Sequence, residues 1–390
     1  MSRSTPLYLD NAATSWPKPA CVGRAMSVFL RQMGANPGRS GHRMAVEAAR
    51  VVYRAREALA AWFGATDPLR VVFGMNATEG LNLALHGLLR PGDHVVTTSM
   101  EHNAVMRPLR DLEAQGVRLS IANCAPDGTL QPAVVQACLR PETRLIVMTH
   151  ASNVCGTLLP VAQVGALARA HGALLLVDAA QTAGLYPLDM QRDGVDLLAF
   201  TGHKSLCGPT GTGGLILGPR LDVNELRPLK QGGTGSASER EKQPDFAPDR
   251  YESGTLNTVG LAGLLAGLEW LKGRGVDGLR AQERALCALL LEGLCGIPGV
   301  QVYGPACAEC RTATVAFNIA GCSPSEVGQR LDEEFGILCR VGLHCAPAAH
   351  RTLGSFPIGS VRFSLGARSS RAQVLCAIRA VRMLAKELRP

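Results

Sequence analysis

The sequence is poor in aromatic residues and has no block of like charge. Aromatic side chains make up 4% of its 390 residues, and 40 basic and 32 acidic residues give a net charge of +8. The basic residues form no run of five or more, so the chain lacks the basic stretches with stacking aromatics that are typical of a nucleic-acid surface. We therefore expect small anionic ligands and no nucleic-acid partner.

Long apolar runs are also missing. Residues 1–19 have no apolar core of a signal peptide, and the most apolar later stretch, 259–271, is short and contains Glu269. Thirteen cysteines, an odd number at irregular spacing, are typical of reduced thiols rather than of a disulfide framework. These features predict a soluble, cytoplasmic protein with no membrane segment.

Short apolar runs alternate with longer helical patterns in the first two thirds of the chain. Continuous apolar strands are typical of a parallel sheet that helices cover on both faces. The pattern predicts an α/β fold, with a mostly parallel seven-stranded sheet in a large domain. The seven runs are 69–73, 94–98, 118–121, 145–148, 173–177, 197–200 and 214–217.

The pattern then changes to that of a smaller α+β domain. We expect the large domain at 15–265, and the small domain at 266–390 together with 1–14. Residues 227–254 form a long loop rich in Gly, Ser, Glu, Lys and Pro, and such loops are usually functional or mobile. The expected later elements are helices at 258–272, 280–294, 325–335 and 371–388, a strand with one exposed face at 312–319, and a strand at 361–365.

Lys204 and Asp178 each close an apolar strand. Pyridoxal 5'-phosphate needs an amine that holds its aldehyde as a Schiff base, and a carboxylate that keeps its ring nitrogen protonated. Taken singly, Asp178 could cap the next helix and Lys204 could be a solvated loop lysine. Together they predict a pyridoxal phosphate site.

A strand also gives way to a helix within residues 73–84, with Asn76 or Thr78 as the first cap and Glu79 in the first turn. The exposed N–H groups of such a helix start can bind a phosphate. This segment therefore predicts the site for the phosphate of the cofactor.

From Tyr8 to the final helix the chain resembles the cysteine desulfurases of the class V aminotransferase superfamily, and most closely the group that includes selenocysteine lyase. The resemblance implies a fold-type I pyridoxal phosphate-dependent transferase, with the cofactor in the domain 15–265. The matching motifs are LDNAAT (9–14), NATE (76–79), EHNA (101–104), HASNVCGT (150–157), DAAQ (178–181), TGHK (201–204), GT (254–255), RVGLHCAP (340–347) and VRFS (361–364).

The resemblance implies a role for each matched residue. Lys204 forms the Schiff base and moves protons, and Asp178 pairs with the ring nitrogen. His102 acts in catalysis and stacks on the ring, with a satisfied loop histidine as the alternative. Gln181 and Asn153 lie near the ring hydroxyl. The phosphate is held by Ala77, Thr78, Thr201, His203 and, from the neighbouring subunit of a homodimer, Thr255.

The substrate residues follow from the same resemblance. Arg362 clamps the substrate carboxylate, because a planar fork matches a carboxylate better than a lysine does. The alternative is that Arg362 pairs with a structural carboxylate. The other implied substrate contacts are Ala13, Asn153 and Arg340.

Cys345 separates a desulfurase from an ordinary transaminase. It lies on a short loop after His344, with Arg340 and His350 nearby in sequence, and this electropositive setting favours a thiolate. The resemblance implies that Cys345 takes the sulfur of L-cysteine as a persulfide, leaving L-alanine, and passes it to a sulfur-acceptor protein. Iron–sulfur cluster assembly is one use of such sulfur.

Three departures from the family concern substrate preference: Asn103, Leu343 and the segment 365–370. Selenocysteine lysis, cysteine-sulfinate cleavage and transamination stay open, since they need Lys204 and Asp178 but not Cys345. A non-enzymatic scaffold would lack Lys204 or Asp178, and both are present.

Two further motifs look chemical. Cys307 and Cys310 have CxxC spacing, but no second CxxC or His pair follows at the distance of a zinc site, so we expect neither a metal nor a redox role. The glycine-rich run 208–214 precedes a strand instead of opening a helix, so it is not a dinucleotide loop. We expect it to let the backbone pass close to the cofactor.

Overall fold

The computed structural model describes residues 6–38 and 41–387. Leu388, the expected end of the last helix, lies outside them, as do residues 1–5 of the expected small domain. The described strands are β1 (Leu7–Tyr8), β2 (Val71–Gly74), β3 (His94–Thr98), β4 (Arg118–Ala122), β5 (Thr143–Thr149), β6 (Leu174–Asp178), β7 (Leu197–Thr201), β8 (Gly213–Leu217), β9 (Val300–Tyr303), β10 (Thr314–Ile319), β11 (Ile337–Leu338), β12 (Arg340–Gly342) and β13 (Ser360–Ser364). The described α-helices are α1 (Ala20–Gln32), α2 (Arg43–Phe63), α3 (Ala77–Leu88), α4 (Asn103–Ala114), α5 (Pro132–Cys138), α6 (Val161–His171), α7 (Thr258–Arg274), α8 (Val276–Cys295), α9 (Pro324–Phe335), α10 (Pro347–Thr352) and α11 (Arg371–Glu387).

The seven expected strands form one sheet, in the order β2-β8-β7-β6-β5-β3-β4. Strands β4, β3, β5, β6 and β7 run parallel, and β8 lies antiparallel between β2 and β7. Nearly all side chains of β3, β5, β6, β7 and β8 are buried on both faces, which explains their apolar runs, whereas the edge strand β4 is mostly half-buried. The predicted fold class is confirmed.

A second sheet has the order β12-β13-β10-β9 and is antiparallel, while β1 pairs in parallel with β11. Apolar side chains of α8, α9 and α11 pack against this sheet in a second core. The limits of the two domains stay a prediction.

Two expected elements differ from the structure. Leu69 and Arg70 lie in a 3-10 turn instead of a strand, because Asp67 caps the Leu69 N–H and Pro68 opens the turn. Strand β10 was expected to have one exposed face, but its residues are buried apart from the half-buried Asn318. The reason is packing: Ala316, on the face opposite Val315 and Phe317, packs against Met100 and Val154 of the first sheet's loops.

Candidate active site

A pocket lies where the parallel strands end. Asp178 is the last residue of β6, Thr149 ends β5, and Lys204 follows β7. Ligands of open α/β sheets bind at this edge, because the loops after neighbouring parallel strands converge there. The pocket is lined by Asn76, Ala77, Thr78, Leu81, His102, Ala104, Thr149, Asn153, Asp178, Ala180, Gln181, Thr201, His203 and Lys204.

Most of the predicted site residues are therefore brought together. The lining residues without a predicted role are Leu81, Ala104, Thr149 and Ala180; Ala104 and Ala180 lie inside matched motifs, and the other two lie close to one. The predicted residues that do not line the pocket are Ala13, Thr255, Arg340, Cys345 and Arg362.

Burial sets the chemistry of Lys204. It lowers the pKa of the amine to about 8, although the carboxylate of Asp178 opposes that change. Burial also raises the pKa of Asp178, whose Oδ1 accepts the Ala180 N–H at 2.9 Å. An amine with a lowered pKa is a better nucleophile near neutral pH, so Lys204 suits a Schiff-base role.

The opposite end of the pocket offers donors for an anion. Helix α3 begins here, and the Asn76 side chain caps it by accepting the Glu79 N–H at 3.0 Å. Ala77 and Thr78 then contribute the first backbone N–H groups, which have no partner inside a helix. Nearby, Thr201 Oγ1 and His203 Nδ1 are buried and have no hydrogen-bond partner in the described part of the chain. These orphaned groups fit a phosphate, with His203 donating.

His102 forms the pocket wall at the start of α4. Its Nδ1 accepts the Ala104 N–H at 3.0 Å, so the neutral ring carries its proton on Nε2. Burial and the charge of Lys204 lower the pKa of His102 to about 4. The ring is therefore neutral at physiological pH, and its catalytic role stays a prediction.

Glu101 is a buried acid in the EHNA motif (101–104), and no role was predicted for it from the sequence. Its Oε1 accepts the Thr149 N–H at 3.0 Å and the Thr98 hydroxyl, while its Oε2 has no partner among the described residues. Burial raises its pKa to about 8. Glu101 thus fastens the loop that carries His102 to the end of β5.

Cys345 lies on an exposed, strained loop. His344 and Cys345 have φ of 48° and 57°, a left-handed conformation that is unfavourable for residues other than glycine. Asn153 Nδ2 donates to the His344 carbonyl at 2.6 Å, and the Asn103 N–H donates to the Cys345 carbonyl at 2.8 Å. These two bonds anchor the loop to the pocket, since Asn153 lines it and Asn103 follows His102.

Arg340 places a positive charge beside Cys345. Arg340 Nη2 lies 3.7 Å from the Cys345 sulfur and donates to it. The expected contribution of His350 is wrong, because the ring is fully buried and burial lowers its pKa to about 4. His344 is neutral for the same reason, with a pKa lowered to about 2. Arg340 is therefore the group that can stabilise negative charge on the sulfur.

Arg362 is 1% exposed and already has partners. Its Nη2 lies 2.5 Å from Asp10 Oδ1, and its Nη1 donates to the Asn153 carbonyl at 2.9 Å. Arg362 therefore pairs with a structural carboxylate, that of Asp10, as the alternative prediction had it. Its buried Nε has no partner among the described residues, so one donor remains for a further anion. The role of Arg362 in binding substrate stays a prediction.

The remaining predicted residues lie around the pocket. Gln181 lines it and donates to the Ala12 carbonyl at 3.1 Å, which brings the neighbour of Ala13 close to the site. Thr255 is exposed on the loop before α7, where its hydroxyl accepts from Asn36 Nδ2 at 3.3 Å. That position leaves Thr255 accessible to a second subunit, which stays a prediction.

The described residues contain neither a metal-ligand group nor a membrane-spanning helix. No group of three or more His, Cys, Asp or Glu side chains there could hold a metal ion. No helix within residues 6–38 or 41–387 is long and apolar enough to cross a bilayer.

Comparison with known proteins gives consistent matches. The family model for aminotransferase class V matches residues 7–375. A probable cysteine desulfurase of Methanothermobacter thermautotrophicus is 34% identical over 363 residues, 92% of this chain and 90% of that protein. A cysteine desulfurase of Salmonella dublin is 36% identical over 347 residues, 87% of this chain and 84% of that one. A solved cysteine desulfurase structure from Thermococcus onnurineus NA1 has a TM-score of 0.92 and 31% identity, covering 98% of this chain and 95% of that one.

The chain therefore belongs to the class V aminotransferase family. Within that family it is a member of the cysteine desulfurase group, as the resemblance of its motifs predicted.

Proposed function

We propose that this protein is a pyridoxal phosphate-dependent cysteine desulfurase. It converts L-cysteine to L-alanine and leaves the sulfur as a persulfide on Cys345. The observation that carries the proposal is the combination of a buried Lys204–Asp178 pocket with an exposed thiol that Arg340 contacts and that Asn103 and Asn153 anchor to the same pocket.

The pocket fits the cofactor at both ends. Lys204 would bind its aldehyde, Asp178 its ring nitrogen, and the unpartnered Thr201 and His203 its phosphate, together with the first N–H groups of α3. When bound, this cofactor supplies an electron sink for the substrate α-carbon. His102 would cover one face of its ring.

The chain's own residues then divide the reaction. The Lys204 amine would move the proton at the substrate α-carbon. Arg362 holds the substrate carboxylate through its unpartnered Nε. The Cys345 thiolate attacks the substrate sulfur: a sulfur–sulfur bond forms, the carbon–sulfur bond breaks, and the amino acid leaves as alanine after protonation.

Two partners complete the proposal. A sulfur-acceptor protein takes the persulfide from Cys345, whose loop is exposed. A second copy of the chain contributes Thr255 to the phosphate site, which makes the active unit a homodimer.

Cys345 has no role in the alternative reactions, which are selenocysteine lysis, cysteine-sulfinate cleavage and transamination. The contact between Arg340 and Cys345 therefore favours the desulfurase. The test is to measure alanine and sulfide release by the purified holoenzyme from cysteine, and alanine release from selenocysteine and cysteine sulfinate. Cysteine should be turned over with equal yields of alanine and reducible sulfur. Turnover of the other substrates without any sulfur from cysteine would contradict the proposal.

A further inference from the structure

A pair of thiols lies outside the catalytic pocket. The Cys310 thiol donates to the Cys307 sulfur, and the two sulfur atoms are 3.0 Å apart. Both side chains are exposed, and a short 3-10 turn, Ala308–Cys310, sets their spacing. None of the steps proposed for the desulfurase reaction uses either cysteine.

The surroundings of the pair argue against a metal. Cys307 also donates to Glu309 Oε2 at 3.2 Å, and Arg284 lies 4.0 Å from the other oxygen of that carboxylate. Glu309 is the third such side chain here, but no group of three or more His, Cys, Asp or Glu among the described residues is arranged to hold a metal ion. Two neighbouring thiols without a metal are the arrangement of a redox pair.

We propose that Cys307 and Cys310 form a reversible dithiol–disulfide site, which small disulfides of the glutathione type oxidise. One thiolate attacks a sulfur of the small disulfide and releases the first small thiol. The other cysteine then attacks the mixed disulfide and releases the second small thiol. The two cysteines lose two electrons and two protons, and the small disulfide gains both.

The geometry demands little movement. A disulfide has a sulfur–sulfur distance of about 2 Å. The sulfur atoms of Cys307 and Cys310 are already 3.0 Å apart, so roughly 1 Å of approach separates them from a bond. Cys295 and Cys376 are exposed as well, but neither contacts another thiol among the described residues. They can form mixed disulfides with a small thiol but no internal one.

The pair is fastened to the loop that serves the active site. The Cys310 carbonyl accepts the Leu158 N–H at 2.9 Å, and the Thr312 N–H donates to Gly156 at 2.8 Å. Between them, Arg311 is buried and donates to the Cys155 carbonyl. Because Asn153 opens the same turn, a disulfide between Cys307 and Cys310 should stiffen the contact between the two parts of the chain.

The test uses the holoenzyme with oxidised glutathione as the probe, followed by alkylation and peptide mass analysis. In the wild type, the peptide that contains both cysteines should lose about 2 Da and carry no glutathione. Cys310→Ser should instead retain glutathione on Cys307, and Cys307→Ser should retain it on Cys310. Cys295→Ser is the matched control and should still form the internal disulfide.

Hydrogen exchange gives a second readout that needs no variant. In the oxidised wild type the Leu158 and Thr312 amides should exchange more slowly, by roughly threefold or more, and reduction should reverse the change. Stable glutathione adducts on Cys307 or Cys310 in the wild type, or free thiols at both after Cys295 has reacted, would overturn the proposed site. Unchanged exchange at both amides in the oxidised protein would overturn its coupling to the loop.

Discussion

The side-chain amine of Lys18 lies 2.5 Å from the carbonyl oxygen of His203, the residue that precedes Lys204. The same carbonyl accepts the Ser15 N–H at 3.0 Å and the Thr14 hydroxyl at 3.0 Å. The segment before α1 therefore holds the peptide group between His203 and Lys204 in place. The Lys18 amine is partly desolvated where it makes this contact, and this burial lowers its pKa to about 8.

Lys18→Met should lower kcat by roughly tenfold while KM changes less, because a small displacement of Lys204 misplaces the amine that moves the proton. Lys18→Arg should recover part of kcat, since it restores a cationic donor. Steady-state kinetics and the absorption spectrum of the bound cofactor measure both effects. An unchanged kcat in Lys18→Met would show that the contact has no positioning role.

Cys345→Ser should abolish persulfide formation from cysteine, by roughly 100-fold or more, because a hydroxyl cannot accept the sulfur. The change in cofactor absorbance on adding cysteine should persist, because binding depends on other residues. Cys376→Ser, at another exposed cysteine, is the control and should keep full activity. Undiminished alanine release by Cys345→Ser would place the nucleophile elsewhere.

Arg362→Lys should raise KM for cysteine by roughly 10-fold to 100-fold, because a lysine ammonium that pairs with Asp10 has no separate donor like Nε for the substrate carboxylate. Asp10→Asn separates the two functions of Arg362: it removes the ion pair and leaves the guanidinium in place. We expect a much smaller change in KM for Asp10→Asn. Equal KM values for wild type and Arg362→Lys would leave Arg362 with its structural role alone.

Mixed dimers test the contribution of Thr255. Lys204→Ala and Thr255→Asp should each be nearly inactive, the second because a carboxylate would repel the phosphate. Random mixing should restore about a quarter of the wild-type activity, because half of the dimers are mixed and each mixed dimer has one intact site. Activity that stays at the level of the separate variants would contradict a site shared between subunits.

Glu283 should make stability depend on pH. It lies on α8, is 4% exposed and has no hydrogen bond or ion pair among the described residues. Burial raises its pKa to about 8, well above the usual range of a glutamate. Its favourable contribution is fully present below the unfolded pKa and is lost as pH rises through the folded one.

Glu283→Gln should therefore be more stable than the wild type at pH 8 by a few kcal/mol, on the order of what such a pKa difference implies. Near pH 4.5 the two proteins should unfold alike. The exposed Glu292 on the same helix gives the control, and Glu292→Gln should behave as the wild type at both values. Urea unfolding at the two pH values measures the difference.

Local sequence patterns predicted the sheet, because each strand of the large sheet carries its own apolar run. They also predicted that Lys204 and Asp178 belong to one site, since each stands at or just after the end of an apolar strand. Local patterns could not predict which residues the two ends of the sequence contact. Lys18 contacts a residue 185 positions away, and Arg362 contacts Asp10 across 352 positions.

Burial that depends on packing was likewise beyond the sequence. His350 looked like a cation beside Cys345 because the two are close in sequence, whereas α10 carries its ring into the interior. Strand β10 looked half exposed because its alternation is real, but both of its faces are covered. In each case the missing information was the position of a distant segment.

The pairing of β1 with β11 has a consequence for the order in which a ribosome makes this protein. Leu7 and Tyr8 find their partners only when residues 337–338 exist, and Asp10 pairs with Ser364 and Arg362. This segment leaves the ribosome long before its partners and is therefore among the last to form its pairs, although the large sheet can form earlier. A nascent chain stalled before residue 337 should hold that sheet and yet leave the segment before α1 accessible to protease.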